Sequence, residues 1–132
     1  MKHMNFRLKT SKLTADRLKA LQNSTGLTPN ILARFAVILS IREKQPLEPI
    51  VRDTAGQEFN RHTLTGKYDF IFKALIAQCE GREISDEEYF PGLFNAHLER
   101  GLYLLENEYK YAGNYPKMIM NLIDQIPEVT RV

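Results

Sequence analysis

The chain has 132 residues, of which 43% are hydrophobic and 10% aromatic, so it holds enough apolar material for one folded domain and is not a disordered chain. Its single cysteine, Cys79, excludes an intramolecular disulfide and a multi-thiolate metal site within one chain. No apolar run approaches the roughly 18 residues of a membrane span, and no secretion signal follows the basic start. We therefore expect a cytoplasmic protein that consists of one domain, residues 1–132.

The net charge of +2 conceals an asymmetry along the chain. Residues 1–42 contain eight Lys or Arg and one acid, Asp16, for a net charge of +7, whereas residues 43–132 carry −5. Such a split indicates one surface suited to a polyanion. On charge alone, this split is explained equally well by lysines and arginines that only make one surface soluble.

Residues 5–44 form a basic unit that is predicted to fold as a strand followed by two helices. Residues 5–11 alternate, with Phe6 and Leu8 on one side and polar residues on the other, as in a strand with one buried face. Thr14 is the predicted N-cap of the first helix, and Leu13 and Leu18 stand at the spacing of a hydrophobic staple.

The second helix is predicted to run from Pro29 to about Ile41, behind a left-handed Gly26 and an N-capping Thr28. Its body is apolar on nearly every side, so we expect a core shared between subunits and hence an oligomer. The order of strand, helix, turn and helix is that of a ribbon-helix-helix unit. In such units two chains pair their first strands into a ribbon that can enter the DNA major groove.

Residues 45–132 are predicted to complete the core, mainly with helices. Residues 46–64 should be mostly loop with room for one short strand, anchored by Ile50, Val51, Phe59 and Leu64. The predicted helices span residues 66–80, 92–111 and 115–126, and a capping box precedes the second of them at residues 85–88. The first of these should be deeply buried, capped by Thr65 and ended by Gly81. The last should point Ile119, Leu122, Ile123 and Ile126 inward.

The sequence offers no convincing catalytic, cofactor or metal motif. Thr65-Gly66-Lys67 resembles the end of a phosphate-binding loop, but Arg61 stands where that motif needs a glycine. His97 on an amphipathic helix is more often a satisfied, partly buried histidine than a ligand, and Cys79 is more often a small core residue than a nucleophile. We therefore expect a protein that is not an enzyme and binds no cofactor and no metal.

Nucleic-acid binding remains as the function that the basic unit favours. Lysines and arginines bind phosphates and release counterions, which supplies affinity without sequence preference. Arg7 and Lys9 would also reach guanine edges from a two-stranded ribbon, although the strand would equally serve only to join two chains. The candidate DNA-binding residues are Arg7, Lys9, Lys12, Arg17, Lys19 and Arg34.

Three segments of the chain resemble the DndE family, the small subunit of bacterial DNA phosphorothioation (DNA sulfur modification) systems. They are FRLKTSKLTADRLKALQNSTGLTPNILARFAVILSI at residues 6–41, AGQEFNRHTLTGKYDFIFKALIAQ at residues 55–78 and HLERGL at residues 97–102. The third departs from the family pattern, which favours Asn at the position of Glu99.

The resemblance implies a mainly helical, non-catalytic subunit that assembles as a homotetramer and binds duplex DNA, with nicked duplex as a preferred form. Its partners would be a sulfur-activating subunit and an SMC-like ATPase. One alternative is a ribbon-helix-helix transcriptional repressor that reads an operator. Another is a structural adaptor whose basic surface docks an acidic protein.

Overall fold

The computed structural model of the chain describes residues 6–47 and 52–125. Predictions made for Asn5, Ile50, Val51, Ile126 and Pro127 fall outside these residues. The described part contains strands β1 (Arg7–Lys9) and β2 (Glu58–Asn60), and helices α1 (Lys12–Thr25), α2 (Pro29–Arg42), α3 (Arg61–Leu64), α4 (Asp69–Glu80), α5 (Phe94–Ala112) and α6 (Tyr115–Asp124). The predicted mainly helical fold, with strand, helix and helix in that order at its start, is confirmed.

Strand β1 has the predicted alternation but is shorter than residues 5–11. Leu8 is fully buried between the exposed Arg7 and Lys9. It lies opposite the buried Phe59 in an antiparallel pair of β1 with β2. In a ribbon-helix-helix unit the first strand pairs with its copy in a second chain, whereas here one edge of β1 pairs with a strand of its own chain. Phe59 explains the difference, because it offers Leu8 an apolar partner on the same face.

Helix α1 begins three residues earlier than predicted, and its N-cap is Ser11 rather than Thr14. The Ser11 side chain accepts a hydrogen bond from the Thr14 amide at 3.1 Å. Thr14 lies inside the helix, where its hydroxyl donates to Glu99 Oε1 at 3.0 Å and ties α1 to α5. The predicted staple is also wrong, since Leu13 is 43% exposed. Ser and Thr cap helices almost equally well, so the contact with α5 decides between the two hydroxyls.

The turn into α2 and its first residues follow the prediction. Gly26 adopts a left-handed φ of 77°, and the Thr28 side chain caps the helix ahead of Pro29. Much of the apolar body of α2 is buried inside the chain, where the helix packs along α5. No described helix is by itself long and apolar enough to cross a membrane. Taken together, α1 and α2 have the length and the apolar composition of a membrane span, but the chain bends by 111° between them.

The segment from residue 61 to residue 80 differs most from the prediction, which was a loop up to residue 64 and one buried helix over residues 66–80. Thr65 is not its cap, because α3 and a 3₁₀ turn (Gly66–Tyr68) come first and α4 begins at Asp69. Only Phe72 and Ile76 are buried on α4, whereas Phe70 is 80% exposed. The helix lies on the surface and turns one face inward, so continuous apolar sequence did not mean burial on all sides.

The C-terminal helices agree with the prediction in order. Ser85 and Glu88 form the predicted capping box, each amide donating to the other side chain at 3.1 Å. A segment kinked at Phe90 (Glu88–Leu93) separates this box from α5. In α6, Leu122 is buried as predicted, but Ile123 is 50% exposed, so its predicted inward position is wrong.

Candidate nucleic-acid interface

Four of the six predicted DNA-binding residues have exposed side chains on β1 and α1. Arg7 and Lys9 point away from the core because they alternate with the buried Leu8. Lys12 and Lys19 are seven residues apart, about two turns, and so lie on the same side of α1. We call Arg7, Lys9, Lys12 and Lys19 the basic face.

The backbone that carries the basic face is held in place by hydrogen bonds. The amide of Thr10 donates to the Gln57 carbonyl at 2.9 Å, and the amide of Lys12 donates to Asp53 Oδ1 at 2.9 Å. Amide hydrogen bonds from Ala55 and Lys12 also hold the pKa of Asp53 below its usual value. Lys9 and Lys12 therefore extend from a backbone that is held in place.

A groove of about 430 Å³ runs beside the basic face. Arg7, Lys9 and Glu58 line one part of it, and residues 91, 92 and 95 line another. Arg7 Nη1 lies 2.9 Å from Glu58 Oε2, with both side chains well exposed. An exposed ion pair of this kind contributes little to stability.

Two further predicted contacts, Arg17 and Arg34, are engaged within the chain. Arg34 donates from Nε to the Leu64 carbonyl at 2.7 Å and from Nη2 to the Thr63 carbonyl at 2.8 Å. Arg17 has only 18% of its side chain exposed, with Nε 3.7 Å from Glu106 Oε2. Both residues fasten one helix to another element.

A second cleft, of about 440 Å³, brings in two arginines that sequence reasoning missed. Arg52 and Arg100 line it together with Arg17, Glu99 and Tyr103. The two new arginines are 48 residues apart in sequence and stand outside the basic N-terminal unit, so no sequence pattern groups them. Glu99, where the chain departs from the family pattern, holds this region together by accepting from Thr14 and pairing with Arg52 at 3.0 Å.

Arg61 forms the most extensive charged network in the described part of the chain, and sequence reasoning missed it as well. The residue is 7% exposed, and its guanidinium makes two hydrogen bonds to Asp69, at 3.0 and 2.8 Å, and two to Asp86, at 2.9 and 2.7 Å. It also lies 5.1 Å from the ring centres of Tyr89 and of Phe90. Asp86, predicted only as part of a helix cap, therefore has a second role in the interior.

The charges of this network hold one another in the ionised state. Hydrogen bonds from Arg61 lower the pKa of Asp86. Burial acts to raise the pKa of Asp69, but hydrogen bonds from Arg61, Thr65 and Tyr89 outweigh it, so the pKa is lowered. The polar groups are occupied with each other, which describes a structural cluster better than a catalytic one.

His97 is fully buried, more so than predicted. Its Nδ1 lies 2.8 Å from Ser40 Oγ, which itself accepts from Arg100 Nε at 2.8 Å. Burial, and then the charge of Arg100, lower the pKa of His97 to about 4, so the ring is neutral at pH 7. Nε2 has no hydrogen-bond partner among the described residues, so the ring is only half satisfied.

Other candidate chemistry is not assembled by the fold. Within residues 6–47 and 52–125, no group of three or more His, Cys, Asp or Glu side chains is placed to hold a metal ion. Cys79 is a free cysteine on the partly exposed α4, so its predicted core position is wrong.

Comparison with known proteins identifies the family. The family model of the DNA sulphur modification protein DndE matches residues 7–113. The crystal structure of DndE from Escherichia coli B7A, involved in DNA phosphorothioation modification, gives a TM-score of 0.65 at 24% identity and covers 79% of this chain and 99% of that chain. The crystal structure of a DndE mutant involved in DNA phosphorothioation gives 0.61 at 22% identity, with 77% and 98% covered.

At these identities the two crystal structures establish the fold alone. No curated protein sequence matches the chain. The family model spans most of the chain, including all but the first residue of its two long resembling segments, and so confirms the predicted resemblance. The chain belongs to the DndE family of DNA sulphur modification proteins.

Proposed function

We propose that this chain is an accessory subunit of the DNA phosphorothioation machinery that binds duplex DNA, including nicked duplex, through the basic face. It performs no chemistry itself and acts in the cytoplasm beside a sulfur-activating subunit and an SMC-like ATPase. The observation that carries the proposal is the exposure of Arg7, Lys9, Lys12 and Lys19 on a backbone fixed by β2 and Asp53. Cations held in this way can follow a phosphate backbone in any sequence.

Arg17 and Arg34 have a different part in this proposal. Their guanidinium groups already contact Glu106 and two backbone carbonyls, respectively. Moving Arg34 to DNA would leave the Leu64 and Thr63 carbonyls without those hydrogen bonds. We therefore assign the direct contacts in this proposal to the basic face, to Arg34 the support of α2, and to Arg17 a contact with Glu106 that uses only its Nε.

The pairing of β1 favours this accessory role over a ribbon-helix-helix repressor. A repressor ribbon joins the first strands of two chains, but one edge of β1 is already paired with β2. Arginine is the side chain that most often binds guanine edges, but Arg7 Nη1 lies 2.9 Å from Glu58 Oε2. Both observations support sequence-tolerant phosphate binding rather than the reading of an operator. A footprint on one palindromic site would instead favour the repressor.

We expect the variant in which Lys9, Lys12 and Lys19 are all replaced by Gln to bind intact and nicked duplex more weakly in a mobility-shift assay. Each lysine that contacts a phosphate adds about one unit to the slope of log affinity against log salt. The slope should therefore fall by about three units in the triple variant. Single-stranded DNA in a parallel lane separates duplex binding from attraction to any polyanion.

Lys110 and Lys117 supply the matched control, because both are exposed and lie on α5 and α6 rather than on β1 or α1. Replacing both by Gln should leave the salt slope unchanged. If the triple variant keeps the wild-type slope, the assignment of the basic face is wrong. If it loses binding to an acidic protein instead, the adaptor alternative is correct.

We also propose that the subunit acts as a homo-oligomer, a tetramer by resemblance to the family. Ile31, Phe35 and Ile38 form a stripe along α2, with exposures of 37%, 39% and 38%. Their spacing of four and three residues places them on one helix face, which suits packing against the same helix of a second copy. Joining chains would multiply the number of lysines available to one DNA molecule.

Replacing Phe35 by Glu is expected to shift the measured mass toward that of the monomer, 15.3 kDa. A charge placed in an apolar contact between copies must be desolvated without a partner, which opposes association. Light scattering after size exclusion measures the change, and Tyr111→Glu, at a residue that is 82% exposed, is the control. An unchanged mass for Phe35→Glu would remove the α2 stripe from the interface.

A further inference from the structure

The cleft lined by Arg17, Arg52 and Arg100 has the chemistry of a site for an anion. Arg52 pairs through Nε with Glu99 at 3.0 Å, and Arg17 approaches Glu106 through Nε at 3.7 Å. Within the described residues, the terminal nitrogens of Arg17 and Arg52 make no hydrogen bond. Each guanidinium therefore keeps its paired terminal N–H groups, which are the donors that bind a tetrahedral oxyanion in pairs.

Arg100 adds a positive charge that no described carboxylate pairs with. In the described part of the chain its nitrogens bond to neutral oxygens: Ser40 Oγ at 2.8 Å, the Ser40 carbonyl at 2.8 Å, and the Gln45 and Pro46 carbonyls at 2.8 and 3.3 Å. These contacts hold the guanidinium in a fixed place at the cleft. Its field reaches the interior, because the charge of Arg100 contributes to lowering the pKa of His97.

The carboxylates near the cleft do not balance its arginines. Among the residues that the structure describes, Glu99 lines the cleft and Glu106 touches Arg17, so two acids face three arginines. Tyr103 lies against Arg17, whose guanidinium carbon is 5.4 Å from the ring centre, and this contact limits the motion of that side chain. Fixed donors and an excess of positive charge favour an anion over solvent, since little side-chain freedom is left to lose on binding.

We propose that this cleft binds a phosphate group, as part of a nucleic acid or of a free phosphate compound. Arg17 and Arg52 donate hydrogen bonds to its oxygens, and Arg100 contributes charge from its fixed position. The site is separate from the basic face, which consists of other side chains on β1 and α1. Phosphate binding here therefore does not require the proposed role of those lysines.

Calorimetric titration of the full chain with pyrophosphate, at constant ionic strength, tests the site. Wild type should bind saturably, and Arg52→Gln and Arg17→Gln should each bind about tenfold more weakly, as expected for the loss of a charged hydrogen bond. Arg82→Gln is the matched control, because Arg82 is also paired with a glutamate, Glu88 at 2.6 Å, but does not line the cleft. Absence of saturable binding, or equal affinities in all three variants, would overturn the proposal.

A competition arm identifies the source of the phosphate. Pyrophosphate is added to the wild-type protein bound to duplex DNA, with Arg52→Gln alongside. Release of duplex from wild type alone supports a site for nucleic-acid phosphates, whereas retention of duplex beside saturable pyrophosphate binding supports a free phosphate compound. Release of duplex to the same extent from wild type and Arg52→Gln contradicts the site, because the cleft then has no part in the competition.

Discussion

The Arg61→Ala variant is expected to lose about 3 kcal/mol of unfolding free energy, the lower end of what removal of one partner from a buried ion pair costs. The side chain of Arg61 is 8% exposed, and it bonds both oxygens of Asp69 and both oxygens of Asp86. Its removal leaves two carboxylates facing each other. The lower end applies because Asp69 and Asp86 are 30% and 34% exposed, so water partly solvates them.

Urea denaturation at pH 7 measures this loss, and Arg82→Ala is the control. Arg82 also pairs with a carboxylate, but it lies on the surface, and we expect its loss to change the unfolding midpoint little. In a variant that also carries Asp69→Asn and Asp86→Asn, the effect of Arg61→Ala should be smaller, because no unpaired charge is left behind. An equal loss in both backgrounds would mean that Arg61 acts through packing on Tyr89 and Phe90 alone.

Wild type and Arg61→Ala should have similar unfolding free energies at acid pH. The pKa values of Asp69 and Asp86 are lowered in the folded chain from an ordinary value of 3.8. Stability from groups with depressed pKa values is present above the unfolded pKa and is lost as the pH falls through the folded pKa. The gap between wild type and Arg61→Ala should therefore be constant from pH 7 to about pH 5 and narrow below about pH 4.

Sequence reasoning predicted well the features that depend on a few neighbouring residues. The backbone is left-handed just after α1 and α4, and glycine is favoured there, as Gly26 and Gly81 show. Thr28 before Pro29 marks the start of α2. Such signals are local, so they survive without knowledge of the fold. The alternation around Leu8 likewise gave both the strand and its exposed cations.

Features that depend on distant residues were missed or misplaced. Thr14 has the local signature of a cap, but Glu99, 85 positions away, takes its hydroxyl and leaves the cap to Ser11. In the sequence, Arg61 was noted only because it breaks the pattern of a phosphate-binding loop. Its partners Asp69 and Asp86 fell within the predicted helix 66–80 and the predicted capping box, so nothing linked them to Arg61. The cleft arginines are separated in the same way. The packing of α1 against α5, together with the pairing of Arg52 with Glu99 on α5, brings Arg17 and Arg52 to one cleft.

The Gly101→Ala variant is expected to be less stable than wild type by about 1 to 3 kcal/mol, although the same change stabilises most helices by up to about 1 kcal/mol. Gly101 lies within α5, where an alanine would reduce the entropy lost on folding. A Cβ at this position, however, would overlap the carbonyl carbon and oxygen of Ala36 on α2. The two helices touch through their backbones here, and a backbone cannot turn aside as a flexible side chain can.

The identity of the clashing atoms makes this prediction specific. Ala36→Gly should not rescue Gly101→Ala, because removing the Ala36 methyl leaves its carbonyl in place. Gly92→Ala is the control: an added Cβ there meets no atom within 4 Å, so thermal and urea unfolding should change little. Equal or higher stability of Gly101→Ala would show that α2 and α5 can separate without loss. Separation would also strain the Ser40 contacts with His97 and Arg100, which bridge the same two helices at 2.8 Å. The glycine in HLERGL therefore fixes the helix spacing on which both the core and the arginine cleft depend.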